Sequence, residues 1–268
     1  MIGRRAVIAL SLLCALAFSA IVVTSAMAET KTTTAFTCVK KAKKGGAGFS
    51  KEHCSAADAV SSEAEFEHVE IPPGNWTVID ATNANTASET TATTNAVLTA
   101  TVGGLKAIVT AKTVTKTGEL KNTEDPVTHA MSVQYRHIII HASQVTLSGA
   151  LATVEGCKVE GEATNTNELQ GESIVNTMEV EYRPEVGTQI VHIKLAGCKN
   201  AELNKNGISV TGTFKSISDG ATTETTAAST VGLIAAGQKA SYTSKGTLRM
   251  TKESTTENPI SFTTITEI

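Results

Sequence analysis

Aromatic residues are scarce: one Trp, three Tyr and six Phe make up 4% of a 268-residue chain. Modules that bind carbohydrate usually stack sugars on several rings, so this scarcity argues against one. Aspartate is scarcer still, with only Asp58, Asp80, Asp125 and Asp219, and these are scattered. That removes the carboxylate density of a calcium loop of the EF-hand kind. There is no basic excess either, since 23 Lys and Arg face 26 Asp and Glu for a net charge of −3. A general nucleic-acid binder wants a basic face, so no nucleic-acid partner is expected. Gly-x-Ser-x-Gly, His-Glu-x-x-His, a P-loop and a dinucleotide fingerprint are all missing. So is any Cys-x-x-Cys pair of the kind that holds zinc. No catalytic, cofactor-binding or metal-binding residue is assigned, no cofactor is implied, and the chemistry leans away from an enzyme.

What is present begins with an address. Arg4 and Arg5 form a short basic segment, an apolar run follows through Leu13, Phe18 and Val23, and Ala26-Met27-Ala28 supplies small residues where a signal peptidase reads. This predicts a signal peptide over residues 1–28. The rival is an uncleaved membrane anchor, because the run is long for a signal and almost long enough to span. Arg4 and Arg5 lack the rest of a twin-arginine motif. Cys14 lacks the small residues that precede a lipoprotein cysteine, so it belongs to the signal. Beyond residue 28 no apolar run is long enough to cross a membrane, so membrane contact is expected only through the signal segment if it is uncleaved. The remaining 240 residues carry a net charge of −5. The expected location is secreted or cell-surface.

Four cysteines follow the signal: Cys38, Cys54, Cys157 and Cys198. An even number in an exported chain suggests disulfides. Three pairings exist, and Cys38–Cys54 with Cys157–Cys198 are closest in sequence. The first would clasp a flexible, glycine-rich and lysine-rich loop. The later two sit in matching tripeptides, Gly156-Cys157-Lys158 and Gly197-Cys198-Lys199, as two strand ends lying side by side would place them.

Threonine is abundant, and a β-branched polar side chain suits the wet face of a strand. From residue 96 onward a period-2 pattern recurs. Leu98, Ala100 and Val102 precede Gly103 and Gly104, then Leu105, Ala107 and Val109 resume it, which reads as a tight hairpin. Residues 132–142, 191–195, 208–215 and 242–251 read as further strands, with Asn206-Gly207 and Asp219-Gly220 as turns. Residues 81–95 are polar and of low complexity, as in a linker or an extended surface strand. A short helix is expected over 55–64, capped by Ser55 with Asp58 at its third position. No sustained helical pattern follows residue 70. The fold class is therefore all-β, an antiparallel sandwich or barrel-like body with a small disulfide-clasped N-terminal unit. The divisions are 1–28 (signal peptide), 29–75 (clasped unit, bounded by Pro72-Pro73-Gly74) and 76–268 (β-rich domain).

The cysteine framework carries a resemblance. Phe36-Thr37-Cys38 through the segment ending at Cys54, then Phe66-Glu67-His68-Val69-Glu70-Ile71, then two Gly-Cys-Lys tripeptides and Val210-Thr211-Gly212, together resemble a group of uncharacterised secreted Thr/Gly-rich β-proteins of soil actinobacteria. The resemblance covers most of the mature chain. It implies export to a bacterial envelope or medium and carries no activity.

Few residues invite chemistry. His137 and His141 have the spacing of a helical zinc pair, but Ile138-Ile139-Ile140 between them favours a strand, which sets them about 13 Å apart. They read as histidines at the edge of a β-face. His53 beside Cys54 suggests a nucleophile pair, countered by an expected disulfide at Cys54. Glu65, Glu67 and Glu70 around His68 form an acidic cluster whose first two members would share a strand face about 7 Å apart. Trp76 reads as a core plug ahead of a ligand-stacking residue. The leading expectation is an exported, non-catalytic structural, cell-surface or binding protein of unknown ligand. Its alternatives are a secreted hydrolase using carboxylates near Glu65 to Glu70, and an inhibitor-like module presenting the Cys38–Cys54 loop.

Overall fold

The computed structural model describes residues 31–52, 54–84, 96–123, 137–154, 156–174, 176–218, 223–226, 232–250 and 258–266. The expected signal peptide over 1–28, His53, residues 85–95 of the expected linker, residues 132–136 of the expected strand over 132–142 and the expected turn at Asp219-Gly220 lie outside these residues.

The chain opens with β1 (Lys31–Lys40), β2 (Gly48–Phe49), a 3₁₀ turn at Ala56–Asp58, β3 (Ala59–Val60) and β4 (Phe66–Glu70). The helix expected over 55–64 is reduced to that one turn. The backbone N–H and hydroxyl of Ser50 both donate to the Asp58 carbonyl, at 2.9 and 3.1 Å, and take the acceptor a continuing helix would need. Ala59 then leaves in an extended conformation.

Next come β5 (Thr77–Ala84), β6 (Ala96–Val102), β7 (Leu105–Ala111), β8 (Thr113–Asn122) and β9 (Ile138–Ser148). The β6–β7 hairpin turns at Gly103 and Gly104, both at positive φ, as the sequence pattern requires. The short strands β10 (Leu151–Ala152), β11 (Lys158–Val159) and β12 (Ala163–Asn165) lead to β13 (Leu169–Ser173), β14 (Glu179–Pro184), β15 (Gln189–Ile193) and β16 (Leu195–Ala196). Helix α1 (Ala201–Asn206) follows, capped where the Asn200 side chain accepts from the Glu202 N–H. It is too short for a periodic pattern, since only Leu203 is buried in it. The chain ends with β17 (Ile208–Thr211), β18 (Phe214–Ser218), β19 (Thr223–Thr226), β20 (Ile234–Ala235), β21 (Gln238–Lys239), β22 (Ser241–Met250) and β23 (Asn258–Thr266).

The pairings close on themselves. β5 pairs with β8, β8 with β9, β9 with β13, β13 with β14, β14 with β18 and β18 with β19, all antiparallel. β22 completes the circuit, taking β19 along Thr223–Thr226 and β5 along Ile79–Thr82. The body is thus an eight-stranded antiparallel barrel. Its inward phase carries Ile79, Val114, Leu120, Ile140, Leu169, Val180, Tyr182, Phe214 and Leu248, all buried. The outward phase carries charge, including Glu172, Glu179, Arg183 and Lys215, with Lys215 to Glu179 at 3.0 Å and Arg183 to Glu172 at 3.6 Å.

Residues 208–215, which alternate as one run in sequence, are split between two sheets. β17 pairs with β15 and β20 in a small sheet that β21 completes, while β18 belongs to the barrel. The break falls at Gly212, where an added Cβ would lie 1.5 Å from the Gly232 carbonyl oxygen. Two backbones cross there, and only a residue without a Cβ lets them.

Both disulfides pair nearest neighbours, Cys38 with Cys54 and Cys157 with Cys198. β11 lies antiparallel to β16, Lys158 opposite Ala196, which brings the cysteines flanking these strands to a Cα separation of 4.1 Å. Two disulfides fit folding in an oxidising, extracytoplasmic environment. β1 runs along β23 for seven residue pairs, so the N-terminal clasped segment shares its sheet with the C-terminal strand.

Candidate functional site

An apolar cavity lies between barrel strands and the small sheet. Val145 and Leu147 of β9, Phe214 of β18 and Tyr242 of β22 line it from the barrel, joined by Leu98 of β6, which pairs with β22. Val191 and Ile193 of β15, Val210 of β17 and Leu233 close the other. The cavity measures about 40 Å³ and its wall presents no polar surface. Period-2 alternation builds the barrel wall, while a register shift between Gln189 and Val191 lets the adjacent Ile190 and Val191 both line the other.

Beside a wall residue of this cavity the barrel interior holds a lysine. Lys116 of β8 follows Val114 in the inward phase and is 7% exposed. Its Nζ donates to the Tyr182 hydroxyl and sits 3.8 Å from the centroid of the Tyr182 ring. Among the described residues no carboxylate pairs with it. Burial without a counter-charge lowers its pKa to about 7. Burial also raises the Tyr182 hydroxyl far above its usual value, with Ser216 acting the other way. Tyr242 rises to about 12 by burial, opposed by a hydrogen bond with Ser244. The tyrosines therefore stay protonated while the lysine approaches neutrality. Gly171, opposite Tyr182, makes room for the ring, since a Cβ there would meet Tyr182 Cε1 at 2.8 Å.

The layer and the cavity are contiguous. Lys116 is the direct cross-strand partner of Val145, a cavity wall residue. Tyr182 is the partner of Phe214, also in the wall, and their rings stack with centroids 5.1 Å apart. Phe214 in turn meets Tyr242 edge-on at 5.9 Å.

The residues singled out from sequence lie elsewhere. His137 and His141 go to different partners, Glu172 at 3.9 Å and Glu185 at 3.2 Å. Glu65 precedes β4 instead of sharing its face with Glu67, and its carboxylate meets Lys44 at 3.1 Å. Glu67 and Val69 point outward, while Phe66, His68 and Glu70 are half-buried. Trp76 is no core plug: it is 43% exposed, with Lys121 Nζ 4.6 Å from its ring centroid and the His141 ring tilted at 5.6 Å. The Cys38–Cys54 loop lies against the chain ahead of β4, through Lys41 N–H to Glu65 and Gly45 N–H to Ala64.

His68 is packed between Phe36 and Phe49, with its Nε2 3.1 Å from the Cys54 carbonyl oxygen and 2.9 Å from Ser261 Oγ. Burial lowers its pKa, and the Cys54 carbonyl works against that. Ser261 is 4% exposed, and its bond to His68 tethers β23 to the disulfide loop.

Sequence reasoning missed Lys116. Its signal was a lysine in the apolar phase of Thr113-Val114-Thr115-Lys116, visible once that stretch is read as a strand.

No family model matches this chain, and neither a curated protein nor a solved structure matches it.

Proposed function

We propose that this is an exported, non-catalytic binding protein, a disulfide-linked β-barrel that takes a small nonpolar ligand or apolar group between barrel and small sheet. The observation that carries this reading is the cavity itself: concave, lined from two sheets and free of polar surface. At about 40 Å³, against roughly 150 Å³ for an engineered apolar cavity that takes benzene, it suits an occupant of one or two heavy atoms. The signal sequence and the two disulfides support secretion, and the resemblance described above supports a bacterial envelope or medium as the destination.

The test is titration of the methyl-labelled protein with xenon under pressure. Shifts confined to the methyl groups of Leu98, Val145, Val191 and Leu233 are expected, and Val210→Phe, which fills the space, should abolish them. Shifts only at the exposed Val186 and Leu151 would overturn the reading.

A further inference from the structure

We infer that the outer barrel wall around Trp76 is a sugar-binding subsite that takes one pyranose unit of a β-linked, gluco-configured polysaccharide. The inference does not rest on the apolar cavity, which is lined by none of the residues involved.

Placement comes first. β5, β8 and β9 are neighbours, and their outward phase sets Val78 opposite Glu119, Glu119 opposite His141, and Lys121 opposite Ile139. Trp76 immediately precedes β5, on the phase of Val78. Trp76 and Val78 are 43% and 51% exposed, whereas Ile79, on the opposite phase, is fully buried. Lys121 Nζ lies 4.6 Å from the Trp76 ring centroid, and the His141 ring meets the indole tilted, at 5.6 Å. His141 Nδ1 is in turn 3.2 Å from a Glu185 carboxylate oxygen. The indole is thus propped by two neighbours and still presents surface to solvent.

Chemistry comes second. An indole left in water forgoes the burial that a core position would give it. Its π face is electron-rich and attracts weakly positive C–H groups. A gluco-configured pyranose carries its hydroxyls equatorially, so it offers such a ring a flat face of axial C–H bonds. The hydroxyls at its rim then need polar partners. Lys121 supplies a donor, Glu119 and Glu185 supply acceptors, and the His141 imidazole supplies either. Charges of both signs around one ring suit a neutral, hydroxyl-rich ligand. A flat apolar partner would strip water from those charges and give nothing back. The scarcity of aromatics argues against a module with several stacking rings, and it limits this subsite to a single sugar unit of modest affinity.

Trp76 is the sole tryptophan, so indole fluorescence reads this subsite alone. The experiment titrates the mature, disulfide-bonded protein with cellopentaose and with chitopentaose. Sorbitol serves as an open-chain polyol and cyclohexanol as a plain apolar ring. A saturable emission change in the millimolar range is expected with at least one pentasaccharide, and none with sorbitol. No saturable change with either pentasaccharide, or an equal change with cyclohexanol, overturns the inference. Glu119→Ala and Glu185→Ala should each weaken binding on the order of tenfold, because each removes a charged acceptor. Trp76→Leu, at an exposed position, should keep the wild-type urea midpoint and lose retention on amorphous cellulose or chitin beads. Retention of that variant equal to wild type would show that the indole is not the platform.

Discussion

The side-chain amide of Asn122 stands in for a strand partner of Ala35: its Oδ1 accepts from the Ala35 N–H at 2.9 Å and its Nδ2 donates to the Ala35 carbonyl at 3.0 Å. The same Nδ2 reaches the Ile71 carbonyl at 2.8 Å. One residue at the end of β8 thereby joins the clasped N-terminal strands to the barrel, at 1% exposure. Asn122→Leu would strip the Ala35 N–H and the Ile71 carbonyl of this partner, while the Ala35 carbonyl keeps the Ile71 N–H at 3.1 Å. The expected loss is about 3 kcal/mol, seen as a lower urea midpoint with an unchanged slope. A change within experimental error would mean that water replaces the amide.

Lys116 dictates how stability responds to pH. Its folded pKa of about 7 lies below the ordinary 10.5, so below pH 7 both states are charged and the burial cost is felt in full. Between about pH 7 and 10.5 the unfolded chain holds a proton that the folded chain has lost, so stability climbs with pH. His68, whose pKa is also lowered, adds a slope of the same sign just below 6.5. Above pH 10 the sign reverses, because an unfolded tyrosine ionises before Tyr242, held at about 12. Stability should peak on the alkaline side of neutrality, which urea midpoints across about pH 6 to 11 will show. Lys116→Met should stabilise the protein at neutral pH by on the order of a few kcal/mol and flatten the rising limb.

The disulfides make a mass-spectrometric prediction. The secreted protein should lack residues 1–28, resist alkylation until reduced, and then take four alkyl groups. Replacing Cys157 and Cys198 together by Ser should cost about 4 kcal/mol, against about 3 for Cys38 and Cys54, because the longer loop loses more chain entropy when bridged. Alkylation of Cys157 and Cys198 without reduction would contradict the pairing.

Gly212 is expected to tolerate no side chain. A Cβ there would fall 1.5 Å from the Gly232 carbonyl oxygen, at a φ of +100° that other residues avoid. Gly212→Ala should separate β17 from β18 and abolish the xenon response of Val191 and Leu233 before the barrel itself melts. Wild-type cavity shifts in that variant would show that the crossing relaxes freely.

Much of the strand content was legible because period 2 is a local property. Val97 to Val109 around two glycines, and Tyr242 to Met250, follow from residues a few positions apart. The helix over 55–64 was misread because the acceptor that stops it is claimed by Ser50, outside the window that periodicity inspects. Trp76 was misread because its cover comes from Lys121 and His141, brought near only by pairing.

By itself the sequence determined the even cysteine set beyond residue 28, the all-β class and most strand phases, since each depends on residue type and short-range spacing. Tertiary structure decided the closure through β22, the split at Gly212, the partners of the histidines and carboxylates, and the burial of Lys116 against Tyr182. Those depend on which strands become neighbours, and strand order is set by the summed burial and backbone pairing of the whole chain, which no single stretch encodes.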